Sequence, residues 1–199
     1  TRKESSAASD VYKRQQGTSW ARGIEAGPDE ALDRMRWTFM GALSAAKHSV
    51  RIWTPYFVPD QTMMAALSTA ALRGVRVEVL TPANGDHPTV QWAARAHYWQ
   101  VLEHGVRIFE RPGPFDHSKL MLIDGQWCCL GSANWDARSL RLNFEFNVEV
   151  YDTALSTRLE SLFDAARDAS NEISAMALRA RPLAIRLRDG VARLFTPIL

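Results

Sequence analysis

Four side chains, His117, Lys119, Ser132 and Asn134, have the types and spacing that chemistry on a phosphate ester requires. An imidazole can attack phosphorus or pass a proton near neutrality, because its reference pKa is ~6.5. An ammonium neutralises phosphate charge, while a hydroxyl and an amide supply oriented donors. A phosphodiester anion repels nucleophiles, so such groups must offset its charge as more builds up. The four flank two apolar runs, 120–123 and 127–130, joined by Asp124-Gly125, a strong short-range hairpin signal. A hairpin brings its open ends together, so the two pairs are expected to converge. The two-residue strand period puts His117 and Lys119 on one face. Asp124 sits at the closed end, where it is expected to orient the hairpin rather than touch phosphate.

The surrounding elements must place that hairpin. Leu32, Met35, Phe39, Leu43 and Ala46 recur at helical spacing, and Pro28 suits a first turn, predicting a helix over 28–47. A strand over 49–54 leads into the loop Pro55-Tyr-Phe-Val-Pro-Asp60. Asp60 is placed to cap a helix carrying Met63, Met64, Leu67 and Ala71, which Gly74 stops. A strand over 75–80 precedes a turn-rich loop over 82–88, and nothing in the sequence argues that its Asp86 and His87 reach the site. A helix over 88–104 and a strand over 106–110 come before the hairpin. A polar loop over 135–141 and a strand over 143–151 follow it. Asp152 then caps a helix predicted to reach about Met176, with Leu155, Leu159, Leu162, Phe163 and Ala166 on one face.

Strands alternating with helices predict a parallel sheet covered by its crossover helices, and the added hairpin makes that sheet mixed. The expected fold is therefore α/β, a three-layer α/β/α sandwich with a mixed, partly parallel sheet. Residues 1–20 are polar and patternless and read as a disordered or non-native leader. Residues 21–180 form the domain, and 181–199 an amphipathic tail helix. In that tail Leu183, Leu187, Val191, Leu194 and Ile198 share a stripe, with Arg186, Arg188 and Arg193 off it or at its edges. Packing of the stripe on the domain is expected over membrane binding, because Gly190 and Pro197 weaken a free-standing helix.

With 46% hydrophobic and 23% charged residues, the composition is that of an ordinary globular domain, and 199 residues suffice for one good core. A formal net charge of +2 permits contact with anionic lipid or nucleic acid and argues for neither. Cys128 and Cys129 are adjacent on a predicted strand, so they face opposite ways, form no disulfide with each other and fit no zinc spacing. They read as small buried apolar residues. No apolar run approaches the ~18 residues that suggest a membrane span.

His117, Lys119, Asp124, Gly131, Ser132 and Asn134 together reproduce His-x-Lys, four residues, Asp, six residues, Gly-Ser-x-Asn. This resembles the signature of the phospholipase D superfamily. The runs Pro55-Tyr-Phe-Val-Pro-Asp60, Ala71-Leu-Arg-Gly-Val75 and Asp136-Ala-Arg-Ser-Leu-Arg-Leu-Asn-Phe-Glu145 are similar to bacterial cardiolipin synthases, as is the tail from Arg181 to Leu199. In that family the signature occurs twice and both copies build one site. Here it occurs once, because His48, His87, His97 and His104 all lack a lysine two residues on.

The resemblance implies phosphatidyl transfer through a phosphohistidine, with one imidazole as nucleophile and another as acid and base. It joins two phosphatidylglycerol molecules into cardiolipin and releases glycerol, without cofactor or metal. It further implies that Glu145 orients a histidine. Arg138 and Arg141 themselves read either as contacts to anionic substrate or as solvated loop arginines. The implied partners are anionic phospholipid, a membrane surface and a second signature, from an amino-terminal half or from a homodimer. The implied location is the bacterial inner membrane, peripherally for this segment. The alternative is a single-signature phosphodiesterase or nuclease acting as a homodimer, or, from another class, a non-catalytic scaffold.

Overall fold

The computed structural model describes residues 17–29 and 31–195. Residues 1–16 of the expected leader, and Pro197 and Ile198 of the tail, lie outside the described residues. One mixed sheet of eight strands organises the rest. Its strands are β1 (Trp20–Ala26), β2 (Ser49–Trp53), β4 (Arg76–Pro82), β5 (Arg107–Arg111), β6 (Leu120–Ile123), β7 (Trp127–Gly131), β9 (Glu145–Tyr151) and β10 (Asn171–Ile173). Their spatial order is β1-β9-β7-β6-β2-β4-β5-β10. A separate parallel pair joins β3 (Phe57–Val58) to β8 (Trp135–Asp136). The helices are α1 (Arg34–Ala45), α2 (Gln61–Leu72), α3 (Pro88–Leu102), α4 (Ala137–Arg141), α5 (Thr153–Asp168), α6 (Ala175–Arg179) and α7 (Leu183–Leu194).

The three-layer sandwich follows from topology. The parallel pairs β2–β4 and β4–β5 step in one direction across the sheet, so right-handed crossovers put α2 and α3 on the same face. Met63, Met64 and Leu67 of α2 and Ala94, Tyr98 and Val101 of α3 share one core with Met35, Phe39 and Leu43 of α1. The opposite face carries Leu80, Phe109, Leu122, Cys128 and Val150 under Phe163 and Ala166 of α5. The two cysteines do face opposite layers, and burial pushes both thiols up, Cys129 to about 12, so both stay protonated. Asp60 and Asp152 cap α2 and α5 as their positions predict, accepting from the N–H of Met63 at 2.9 Å and of Leu155 at 2.8 Å.

Several elements depart from the sequence reading. The first organised element is the edge strand β1, not a helix from Pro28. Only its Ile24 and Ala26 are buried, so no apolar alternation marks it, and backbone pairing to β9 holds it instead. Helix α1 starts only at Arg34, behind Asp33 in the left-handed region (φ 61°), and Leu32 stays exposed. The loops expected over 55–60 and 135–141 contain β3, β8 and α4. Helix α5 ends at Asp168 rather than near Met176. The chain after it meets the open edge of β5 and pairs there as β10, because an unpaired edge is a template for another strand.

The tail departs most. Its helix α7 packs on α3 through Asp189 and Ala192, both buried, and turns Leu183, Leu187, Val191 and Leu194 outward. The expectation that the apolar stripe packs on the domain is overturned. A buried charge cluster decides the orientation: Asp189 accepts from Arg181 at 2.6 Å and from Arg188 at 2.7 Å.

Candidate active site

The hairpin forms as its sequence predicts. Asp124 (φ 53°) and Gly125 (φ 66°) both adopt the left-handed conformation of a hairpin turn, and Gln126 N–H closes it on the Ile123 carbonyl at 3.0 Å. The ladder runs from Ile123↔Trp127 to Leu120↔Leu130, which puts the segments bearing His117 and Ser132 at the same open end. Asp124 lies at the far end, as expected. Its carboxylate accepts from the backbone N–H of Lys47 (2.8 Å), His48 (2.8 Å) and Ser49 (2.7 Å), pinning the α1–β2 connection to the hairpin. Burial pushes its pKa up, but those three donors outweigh it, so the carboxyl sits below its ordinary range.

At the open end His117 is exposed. Its ring lies 6.0 Å from Tyr56, edge to face, and 5.6 Å from Phe115. Among the described residues no side chain hydrogen-bonds that ring. Lys119 Nζ donates to the His117 carbonyl at 2.9 Å. Burial lowers the Lys119 pKa, and Glu145, Asp136, Asp116 and Asp86 pull it back in that order. Its charge therefore sits within a ring of carboxylates. The loop carrying His117 is shaped by Asp116, which accepts from Ser118 N–H at 2.9 Å and from Arg111 at 2.8 Å.

Ser132 and Asn134 are partly committed to the scaffold. The Ser132 hydroxyl accepts from Phe146 N–H at 2.9 Å and donates to the Phe146 carbonyl at 3.4 Å, fastening the end of β7 to β9. Gly131 is required there. A Cβ would lie under 3.0 Å from both the Asn147 side chain and the Phe146 carbonyl. Asn134 N–H donates to Ser139 Oγ at 2.8 Å, and its side-chain Oδ1 is buried without a partner. The Ser139 hydroxyl in turn donates to Glu145 Oε1 at 2.8 Å. Glu145 is thus fixed by Ser139, with Asn143 Nδ2 at 3.3 Å, and not by His117. Arg138 and Arg141 sit exposed on α4, the helix that Asp136 caps by accepting from Ser139 N–H at 2.7 Å. Burial raises the Asp136 pKa, with Glu145 adding like-charge repulsion.

Sequence reasoning missed Tyr56, Phe115, Asp136 and Ser139. Tyr56 also brings in Asp86 and His87, which the sequence could not place. Its hydroxyl donates to Asp86 at 2.6 Å, and its ring stands 6.2 Å from His87. Burial raises the Tyr56 pKa, and the bond to Asp86 raises it further, so the phenol stays protonated. Tyr56 lies in the Pro55–Asp60 run, but an aromatic in a loop carries no periodic signal.

Beside this polar end, a groove of about 680 Å³ opens on the α5 face. Arg111, Ser118 and Lys119 stand among its walls, which are otherwise mainly apolar, including Leu120, Leu130, Leu159 and Leu162.

A mixed-sheet sandwich with this polar end is the phospholipase D fold. The structure matches that of a phospholipase D family member, Nuc from Salmonella typhimurium, with TM-score 0.68 and 19% identity, over 79% of this chain and 100% of that one. It also matches the phosphatidylserine synthase of Haemophilus influenzae, with TM-score 0.72 and 15% identity, over 93% of this chain and 49% of that one. Residues 39–167 match the family described as cardiolipin synthase, phospholipase D-like domain, and the chain belongs to that family. It is 35% identical over 183 residues to cardiolipin synthase 2 of Staphylococcus epidermidis, and 37% identical over 176 residues to the cardiolipin synthase of Geobacillus sp.. These alignments take in 92% and 88% of this chain but only 38% and 35% of those proteins.

Proposed function

We propose that this chain supplies one half of the active site of a phosphatidyltransferase of cardiolipin-synthase type. An imidazole attacks the phosphorus of one phosphatidylglycerol, and glycerol leaves carrying a proton from the other imidazole. A hydroxyl of a second phosphatidylglycerol, giving its proton back to that imidazole, then displaces the histidine to form cardiolipin. His117 is one of the two imidazoles, and the other comes with a second signature, from an amino-terminal half or a second copy. Lys119 and Asn134 offset phosphate charge, and Ser132 joins them by releasing its long bond to Phe146. Glu145, held by Ser139, supplies the carboxylate that orients a site imidazole. Arg138 and Arg141 lie on α4 to meet anionic headgroups, and Asp124 holds the hairpin. The reaction belongs at the bacterial inner membrane, which this segment would meet peripherally; no helix among the described residues is long and apolar enough to cross a membrane.

The observation that carries this reading is Lys119, which belongs both to the polar end and to the mouth of the apolar groove. A phosphate beside an apolar channel fits a phospholipid better than a nucleic acid, which would favour a basic stripe with stacking faces. The test incubates the purified chain with phosphatidylglycerol vesicles, alone and with an added first-signature half, and separately with plasmid DNA. Cardiolipin and glycerol should form only when a second signature is present and vanish in His117→Ala. DNA cleavage lost in that variant would replace this reading with a nuclease, and inactivity under every condition would leave a scaffold.

A further inference from the structure

We infer that α7 is a docking element for an anionic bilayer surface, set on the domain with its apolar side outward. The inference deepens the lipid reading above and rests on it only for the choice of lipid. A helix on a globular domain ordinarily buries its apolar stripe. Here the stripe is reversed: Leu183 is 68% exposed, Leu187 61%, Val191 56% and Leu194 76%, while Asp189 is 1% exposed. The inward side is held by charge. Asp189 accepts from Arg181 and Arg188, and the Arg188 guanidinium lies 4.3 Å over the Trp92 ring of α3. Those contacts, with the buried Ala192 beside them, fix which face looks out.

The outward face carries one sign of charge. By the 3.6-residue period the exposed Arg186 borders the stripe on one side, with Arg193 beside it half-buried toward His97. The only acid of α7, Asp189, is buried in its pair of arginines. Apolar side chains edged by cations, with no exposed carboxylate, match the chemistry of an anionic lipid interface. A protein partner would need its own acidic rim to meet the same face. The twelve residues of α7 span about 18 Å, against about 30 Å of bilayer hydrocarbon, so the helix lies along the surface and does not cross it.

The test is flotation of the purified chain with vesicles of phosphatidylglycerol and phosphatidylcholine in equal parts, beside phosphatidylcholine alone. The variants are Leu187→Asp/Val191→Asp and Arg186→Glu, each checked by thermal melting. The wild type should float with the anionic vesicles and release as salt rises. The double variant should lose about tenfold or more in partitioning while melting like the wild type. Arg186→Glu should lose several-fold, on anionic vesicles only. Equal flotation of the double variant, failure of the wild type to float, or melting lowered by the double variant would each overturn the inference. Binding is read without turnover. A chain that floats through α7 yet never forms cardiolipin sinks the reaction and leaves the docking surface. Turnover without flotation does the opposite.

Discussion

Asp124 belongs to the signature, yet its geometry makes it a staple, so its loss should cost stability rather than chemistry. Its carboxylate takes three backbone N–H groups from the α1–β2 connection at 2.7–2.8 Å, from a turn position with φ 53°. In Asp124→Ala, water can reach the exposed N–H groups of Lys47 and His48, but Ser49 N–H is half-buried and left without an acceptor, costing about 1–3 kcal/mol. Holding alanine in the left-handed region adds about 1 kcal/mol. The total is about 3 kcal/mol, which moves a urea midpoint down by about 1.5 M for a slope of about 2 kcal/mol/M. Asp124→Asn tolerates the turn and keeps one acceptor, so it should lose roughly half as much. The pH dependence has a fixed sign. The folded carboxyl titrates below its unfolded value of about 3.9, so its stabilisation is complete above that value and disappears as pH falls through the folded pKa. The gap between wild type and Asp124→Asn should therefore narrow in acid. Urea unfolding followed by tryptophan fluorescence at several pH values measures all of this. An unchanged midpoint in Asp124→Ala, with transfer activity lost, would refute the staple and return Asp124 to the chemistry.

Other substitutions probe what holds the sheet around the site. Gly131→Ala should cost about 1–3 kcal/mol in urea unfolding, because the added Cβ meets the Asn147 side chain and the Phe146 carbonyl where β7 lies against β9. Glu78 is buried against Arg107 at 3.1 Å and Arg167 at 3.2 Å, so Glu78→Ala should lower the Tm by about 6–12 °C, corresponding to about 3 kcal/mol. His97 is buried against α7 and its pKa is pushed down to about 4 by burial and then by Arg193. Its neutral form therefore contributes stability above about pH 6.5 that is lost as pH falls toward 4, and His97→Gln should flatten the urea midpoint across that window.

The centre of the fold was legible because its signals are local. The turn at Asp124-Gly125 needs only two residues that accept positive φ, and the apolar residues of β2, β4 and β6 mark strands that are buried on both faces. The caps at Asp60 and Asp152 are one-residue signals of the same kind. The edges were not legible. The strands β1 and β10 are recruited by the open backbone of β9 and β5, and their side chains record little of it. Within the site, the residues of the signature could be read, but the contacts among them could not. Ser139 reaches Glu145 across the short turn from α4 to β9, and Tyr56 reaches His117 from a loop far off in sequence, and neither contact leaves a periodic signal.

The tail shows a different limit. Helical periodicity defines a stripe and its opposite face, and hydrophobicity alone then assigns the stripe to the core. That assignment fails when the opposite face has a stronger claim. Asp189 is such a claim, because a carboxylate with two arginines around it can be buried only if the whole group stays together, and α3 supplies the surface and the Trp92 ring that close it. Removing it is therefore the sharpest probe of the tail. Asp189→Ala leaves Arg181 and Arg188 facing a dry surface and should release α7 from α3, exposing Ala192 and the α3 face to amide exchange in mass spectrometry. The hairpin amides of β6 and β7 should stay protected, since those strands pair with β2 and β9 whereas α7 packs chiefly on α3. Exchange spreading evenly through the sheet would show that α7 is part of the core's cooperative unit, and that the outward stripe is fixed by the domain as a whole rather than by one buried charge.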